Sequence, residues 1–254
     1  MHELVLKINR DQAGALALAL ATFVRLCRRD MQVLRELLET GFIPVFDSTS
    51  TWRSRPATRD VVWEFVSIVD AMGAVIGTPV PEGVAVEGEG GIADAVAQRV
   101  AASLQDGARE QLAVVCSLQE GQVVAEALDA YTRIGMGQIM IVSELLRFGT
   151  VKVEGASSDS GMANLREVDR FEALVERLRG SLNFSAGQSL GVGNRSVKVE
   201  AHRAWEMCKV VRQALAMHRD PSPAFRGVHY DGLDLLRYTK DPKPRASIKS
   251  AEMA

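Results

Sequence analysis

The stretch HELVLKINRDQAGALALALATFVRLCRRDMQVLRELLETG, residues 2–41, aligns without a gap on EQLAVVCSLQEGQVVAEALDAYTRIGMGQIMIVSELLRFG, residues 110–149. At this offset of 108, nine of the forty positions are identical, among them Leu4/Leu112, Leu20/Leu128, Arg25/Arg133, Glu36/Glu144 and Gly41/Gly149. Substitutions elsewhere keep their character, as in Phe23/Tyr131, Leu26/Ile134 and Leu34/Val142. A gapless match that preserves pattern is what repeated units show, so the chain is expected to use one unit twice.

Each copy opens on branched aliphatics that predict a short strand, Leu4 to Ile8 and Leu112 to Cys116. Asp11 and Gln119 stand near the predicted helix starts. Apolar residues at positions 16, 20, 23, 27, 31, 34 and 38 then recur at spacings of four and three, which predicts one long helix with a single buried face. Gly41 and Gly149 fall where a glycine would end it. Ile43-Pro44-Val45 and Val151-Lys152-Val153 alternate like second strands, Pro44 confining the first to an edge. Within one straight helix, Arg25 and Glu36 are three turns apart and cannot meet, and the same holds for Arg133 and Glu144. The expectation is a cross-repeat salt bridge between antiparallel helices, or a polar pocket on the axis relating them.

Further helical faces run from Arg59 to Ile76, Ile92 to Leu104, Asn164 to Leu178 and Ser196 to His218. The expected architecture is α+β and helix-rich: two duplicated strand–long helix–strand halves, residues 1–107 and 108–220, related by a pseudo-twofold axis. An extended tail rich in proline and basic residues follows at 221–254.

The 254 residues are 47% hydrophobic and 24% charged, enough apolar material to fill a core, which excludes disordered and collagen-like classes. A formal charge of -2 argues against a general coat for nucleic acid. Cys27, Cys116 and Cys208 are scattered and odd in number, as in a reducing compartment. The opening residues lack the basic-then-apolar order of a secretion signal, and the apolar run at 13–20 is too short for a bilayer. These features point to the cytoplasm, the host's if the chain is phage-encoded, with no membrane partner.

Candidate ligand-binding residues come from three places. Gly135 and Gly137 interrupt a helical pattern, at about 1 kcal/mol each relative to alanine, where they imply a kink, a close helix contact or a ligand approach with Arg133 and Gln138 beside it. Arg25 is the corresponding residue in the first copy. The glycine-rich run 185–195 precedes the helix expected from Ser196. Its backbone amides could receive a phosphate around Gly191 and Gly193, helped by Arg195 and His202, although it matches neither a Walker loop nor a dinucleotide-binding fingerprint. His202 and Glu206 stand one turn apart without further ligands, so no metal site is expected. No acid/base or nucleophile set and no cofactor motif is recognisable. Trp52 with Arg53, Arg55 and Arg59 forms a small basic patch. The stretch Arg237 to Lys249 carries an excess of basic residues, as a solvated tail or an arm reaching a partner.

Tyr131 to Gln138, Ser189 to Gly193, the helix at 201–215 and Gly227 to Asp231 resemble, in that order, segments of small phage and bacterial proteins to which no activity is assigned. The likeness covers roughly residues 110–235. It implies a phage or prophage accessory protein, here in tandem form, and carries no catalytic residue with it. The first copy departs from the motif, with Cys27-Arg28-Arg29-Asp30 where the second has Gly135-Met136-Gly137-Gln138. The leading expectation is a non-catalytic protein that binds a host component or sequesters a small anionic, nucleotide-like ligand, in a homo-oligomer or alone. The alternatives are a nucleotide-processing enzyme using the Gly187–Asn194 loop and a DNA-associated regulator.

Overall fold

The computed structural model describes residues 2–46, 54–55, 58–105, 110–152, 154, 161–184, 189–220 and 236–250. Strand β1 (His2–Asn9) leads directly into helix α1 (Arg10–Cys27), and β4 (Gln111–Ser117) into α5 (Leu118–Gly135). Both junctions are built alike. The Asn9 amide donates to Gln12 Oε1 at 3.0 Å while the Gln12 amide donates to Asn9 Oδ1 at 2.8 Å. At the aligned positions the Ser117 amide donates to Glu120 Oε2 at 2.7 Å and the Glu120 amide to Ser117 Oγ at 3.2 Å. These are reciprocal capping boxes, each satisfying two amides a helix start would otherwise leave open. The caps are therefore Asn9 and Ser117, and Asp11 and Gln119 stand in the first turns of the two helices as expected.

The single long helix expected in each copy is two helices. Of the two aligned stretches, the first has α1 ending at Cys27 and α2 (Gln32–Glu39) following after a turn in which Arg29 takes φ 64°. In the second, α5 gives way to α6 (Ile141–Arg147) at Gly137, with φ 82°. A left-handed residue ends a helix by turning its amide back to the preceding turn: Arg29 donates to Leu26 O, and Gly137 to Ile134 O, both at 2.9 Å. The apolar stripe continues through the break because 3.6-residue periodicity records which side faces the core, not whether the backbone stays helical.

The remaining described elements are β2 (Val45–Phe46), β3 (Ser54–Arg55), α3 (Arg59–Ile76), α4 (Glu89–Gln105), α7 (Gly161–Ser181), α8 (Val199–Arg219) and β5 (Arg245–Ser250). The backbone divides into two compact units, Met1–Ala21 with Ile92–Thr132 and Val199–Ala254, and Thr22–Gly91 with Arg133–Lys198. Each takes residues from both halves of the sequence.

The first unit holds a three-stranded antiparallel sheet in the order β4-β1-β5. Leu4, Leu6, Ile8, Leu112, Val114 and Cys116 alternate with more exposed residues and line its buried face. In the β1–β4 ladder Leu6 lies opposite Val114, its own aligned position, and Leu4 opposite Cys116 is matched by Ile8 opposite Leu112. Gly121 lets α5 approach β1, since a Cβ there would come within 2.8 Å of Leu4 Cδ2. Helix α8 packs against β1 and β5. Its Cys208 thiol donates to Ala125 O at 3.4 Å, and the Thr132 hydroxyl reaches Ala201 O at 3.4 Å.

In the second unit α3 packs on α7 and α2, and α7 also meets α6. The β2–β3 hairpin is tied in by the Phe46 amide donating to Leu182 O at 2.8 Å and by Phe46 and Phe184 rings 5.4 Å apart. The second strand expected at 151–153 does not form at Val151 or Lys152, and Val153 lies outside the described residues. Val151 is instead buried, its amide donating to Leu145 O at 3.0 Å as part of the turn closing α6. The strand expected at 43–45 begins only after Pro44, at Val45.

Candidate anion-binding cleft

The arginines expected to meet across the copies pair inside their own. The break after α1 turns α2 back so that Arg25 grips both carboxylate oxygens of Glu36, Nη2 to Oε1 at 2.8 Å, while its Nε holds Asp30 at 2.6 Å. Arg133 does the same with Glu144, at 2.6 and 2.7 Å, its Nε donating to Gln138 Oε1 at 3.2 Å. Gln138 passes the connection on to Ser189 Oγ at 3.0 Å. The Glu36 hydrogen bonds raise the Arg25 pKa further and lower that of Glu36. Bidentate pairs of this kind fix an angle between two helices. Arg25, Arg133 and Gln138 therefore have their hydrogen-bonding capacity largely taken by the helix joints.

Part of the glycine-rich loop is held by bonds of its own. Gly191 takes φ 70° and its carbonyl accepts from the Asn194 amide at 3.1 Å. The Leu190 amide donates to Met136 O, the Ser196 amide to Asn194 Oδ1, and the Val197 amide to Asn194 O. Helix α8 starts at Val199, later than Ser196, so Gly191 and Gly193 do not abut its first turn. Arg195 and Gly193 lie along this loop, and Gly187 is outside the described residues. His202 sits on α8 with its ring stacked 5.5 Å from Tyr238, and its Nε2 is buried with no hydrogen-bond partner among the described residues. Trp52 and Arg53 also fall outside the described residues.

The basic C-terminal stretch is not a solvated tail over its described length. Glu206, fully buried on α8, accepts from the Tyr238 amide at 2.7 Å, the Thr239 amide at 2.9 Å and the Thr239 hydroxyl at 3.0 Å. Arg203 binds Asp241 at 2.6 Å and Asp11 at 2.7 Å, and hydrogen bonding to Asp241 raises its pKa. Gln12, whose Oε1 completes the α1 capping box, donates from Nε2 to Pro242 O at 2.8 Å. Strand β5 then runs along β1 from Lys7 opposite Arg245 to His2 opposite Ser250.

This docking leaves an open cleft of about 660 Å³ along the last turns of α8, walled by β1 and the arm. Lys7, Lys243, Arg245 and His218 line it, with Gln213 and Ser247 as neutral polar groups and Val210, Met217 and Ile248 among its apolar surface. Among the described residues no aspartate or glutamate lines it. Lys7 and Arg245 are partners in the ladder, a like-charge pair of the kind that destabilises a sheet unless an anion or solvent offsets it. Cations at the α8 C-terminus also match the negative end of its dipole. Nothing in the chain matches a known protein family, curated protein or solved structure.

Several residues of this cleft escaped the sequence reading. The basic character of 237–249 was legible, but Lys7 is a lone lysine in a strand, and its juxtaposition with Arg245 depends on pairing chain segments more than two hundred residues apart. Among the described residues no cluster of three metal-ligating side chains occurs, and no helix is long and apolar enough to cross a membrane. The three cysteines are buried; desolvation pushes the Cys116 thiol up to about 11 and the Cys208 thiol up to about 12, which suits packing rather than nucleophilic work.

Proposed function

We propose that this protein is a non-catalytic binder of a small organic anion, phosphate-bearing or carboxylated, held in the cleft between α8 and the C-terminal arm. The observation that carries the reading is the Lys7–Arg245 pair, with Lys243 and His218 lining the same cleft and no acid among the lining residues. Apolar surface beside the charges fits a ligand with an organic body as well as an anionic group. The likeness of the second half to small phage and bacterial proteins supports an accessory role in a phage or prophage, where sequestering a host metabolite needs affinity and no turnover.

The scaffold is, in the same proposal, a duplicated unit with an internal pseudo-twofold. Support comes from capping boxes, left-handed helix ends and arginine–glutamate forks that recur at aligned positions, and from a β1–β4 ladder centred on the aligned pair Leu6 and Val114. The arm breaks this symmetry: β1 receives β5 on its outer edge and, among the described residues, β4 receives no further strand. A single ligand site per chain follows.

Calorimetric titration with inorganic pyrophosphate and with adenosine nucleotides tests the binding. Lys7→Gln and Arg245→Gln are each expected to weaken it roughly tenfold or more, since a hydrogen bond to a charged group contributes about 1.5–3 kcal/mol. Folding stability should hold or rise slightly, because each change removes the like-charge pair. Wild-type protein that binds none of these anions at low salt, or variants that bind as tightly as wild type, would remove the cleft as the site.

A further inference from the structure

We infer that the free edge of β4 is a dimerisation edge, on which a second copy of this chain adds its own β4 antiparallel to make one continuous sheet. The two outer strands of the sheet differ in how they meet solvent. Strand β5 carries Arg245 and Lys249 and follows Pro242 and Pro244, features that discourage further pairing. Paired with itself about Ser247, it would set Arg245 against Lys249. Strand β4, Gln-Leu-Ala-Val-Val-Cys-Ser at 111–117, has no charged residue and no proline. Among the described residues β1 is its sole ladder partner.

β4 is also self-complementary. Pairing two copies antiparallel about Val114 sets Leu112 against Cys116 on the buried face and Ala113 against Val115 on the other, with Gln111 against Ser117 at the ends. No like charges meet, and every position keeps the face it already has. Val115 is 45% exposed, unusually open for valine on a sheet, and Ala113 is exposed beside it. Geometric competence for strand addition is evident in β1, which aligns with β4 in sequence and takes β5 along its outer edge. A twofold interface of this kind closes at two copies.

Native mass spectrometry and light scattering of the full chain at micromolar concentration should show a dimer. The double variant Ala113→Glu with Val115→Glu places like charges opposite one another twice across the proposed interface, on the face away from the core where position 113 lies opposite Lys7 of the same chain, and is expected to raise the dimer dissociation constant at least a hundredfold with an unchanged circular dichroism spectrum. If that variant does not fold, Val115→Glu alone, at the position opposite Val5 in the chain, provides the comparison, with a smaller shift in the same direction. Hydrogen exchange of the 111–117 amides in the wild type should slow with increasing protein concentration. A monomeric wild type, a dimer that persists in a folded glutamate variant, or β4 exchange independent of concentration would overturn the assignment.

Discussion

Replacing Glu206 by alanine should free the C-terminal arm and abolish anion binding while leaving most of the fold standing. The Glu206 carboxylate takes three hydrogen bonds from Tyr238 and Thr239, and nothing else among the described residues accepts from those groups. Donors to a charged acceptor contribute about 1.5–3 kcal/mol each, and because the three act as one unit the loss is expected to be about 3 kcal/mol, not their sum. The loss should be local. The Tyr238 edge of the arm is partly exposed, so its amides can turn to water once the arm lifts, whereas the helix keeps Ala204, Met207, Cys208 and Val211 buried. Hydrogen exchange provides the measurement: the β5 amides at 245–250 should lose protection in the alanine variant. Glu206→Gln, which retains one acceptor oxygen, should fall between it and the wild type. Protection of β5 equal to wild type in Glu206→Ala would show that the ladder with β1 holds the arm by itself.

The second large effect belongs to Gly137. Its φ of 82° is a conformation that costs a residue with a Cβ about 1–2 kcal/mol, and a Cβ placed there would lie 2.5 Å from Phe184 Cζ. Phe184 is buried and its ring rests against Phe46, so it has little room to retreat. Overpacking adds about 1–3 kcal/mol, giving an expected loss of about 3 kcal/mol for Gly137→Ala by urea denaturation. The aligned Arg29 adopts φ 64° without being glycine, so the turn alone does not forbid a side chain; the ring does. Adding Phe184→Leu to Gly137→Ala should therefore recover part of the loss, and a Gly137→Ala variant as stable as wild type would contradict this account of the joint.

Much of this architecture is written locally in the sequence. The α+β class, the helix at Arg59–Ile76 and the strand–helix beginnings of both aligned stretches follow from residues a few positions apart, where periodicity and β-branching act directly. The break between α1 and α2 was not legible because the apolar stripe crosses it unchanged and Arg29 is an improbable residue for a left-handed turn. Gly137, at the aligned position, was the available signal, and it pointed to a kink in one copy only. The arginine–glutamate forks were visible as a repeated eleven-residue spacing, but their partners depended on that break. Least legible was the cleft. Its charges come from β1, the end of α8 and an arm near the C-terminus, and only the β1–β5 register brings them together. Composition alone marks the glycine-rich loop as a phosphate cradle, and it does not tell that the Asn194, Ser196 and Val197 amides are bonded within the loop.

Those two locations for an anion, the cleft and the loop, are separated most directly by an amide-resolved NMR titration of the wild-type protein with inorganic pyrophosphate. The account predicts saturable shifts concentrated at Lys7, Met217, His218 and residues 243–248, with residues 189–197 unmoved. Shifts centred on Gly191, Gly193 and Arg195 with Lys7 and Arg245 silent would contradict it.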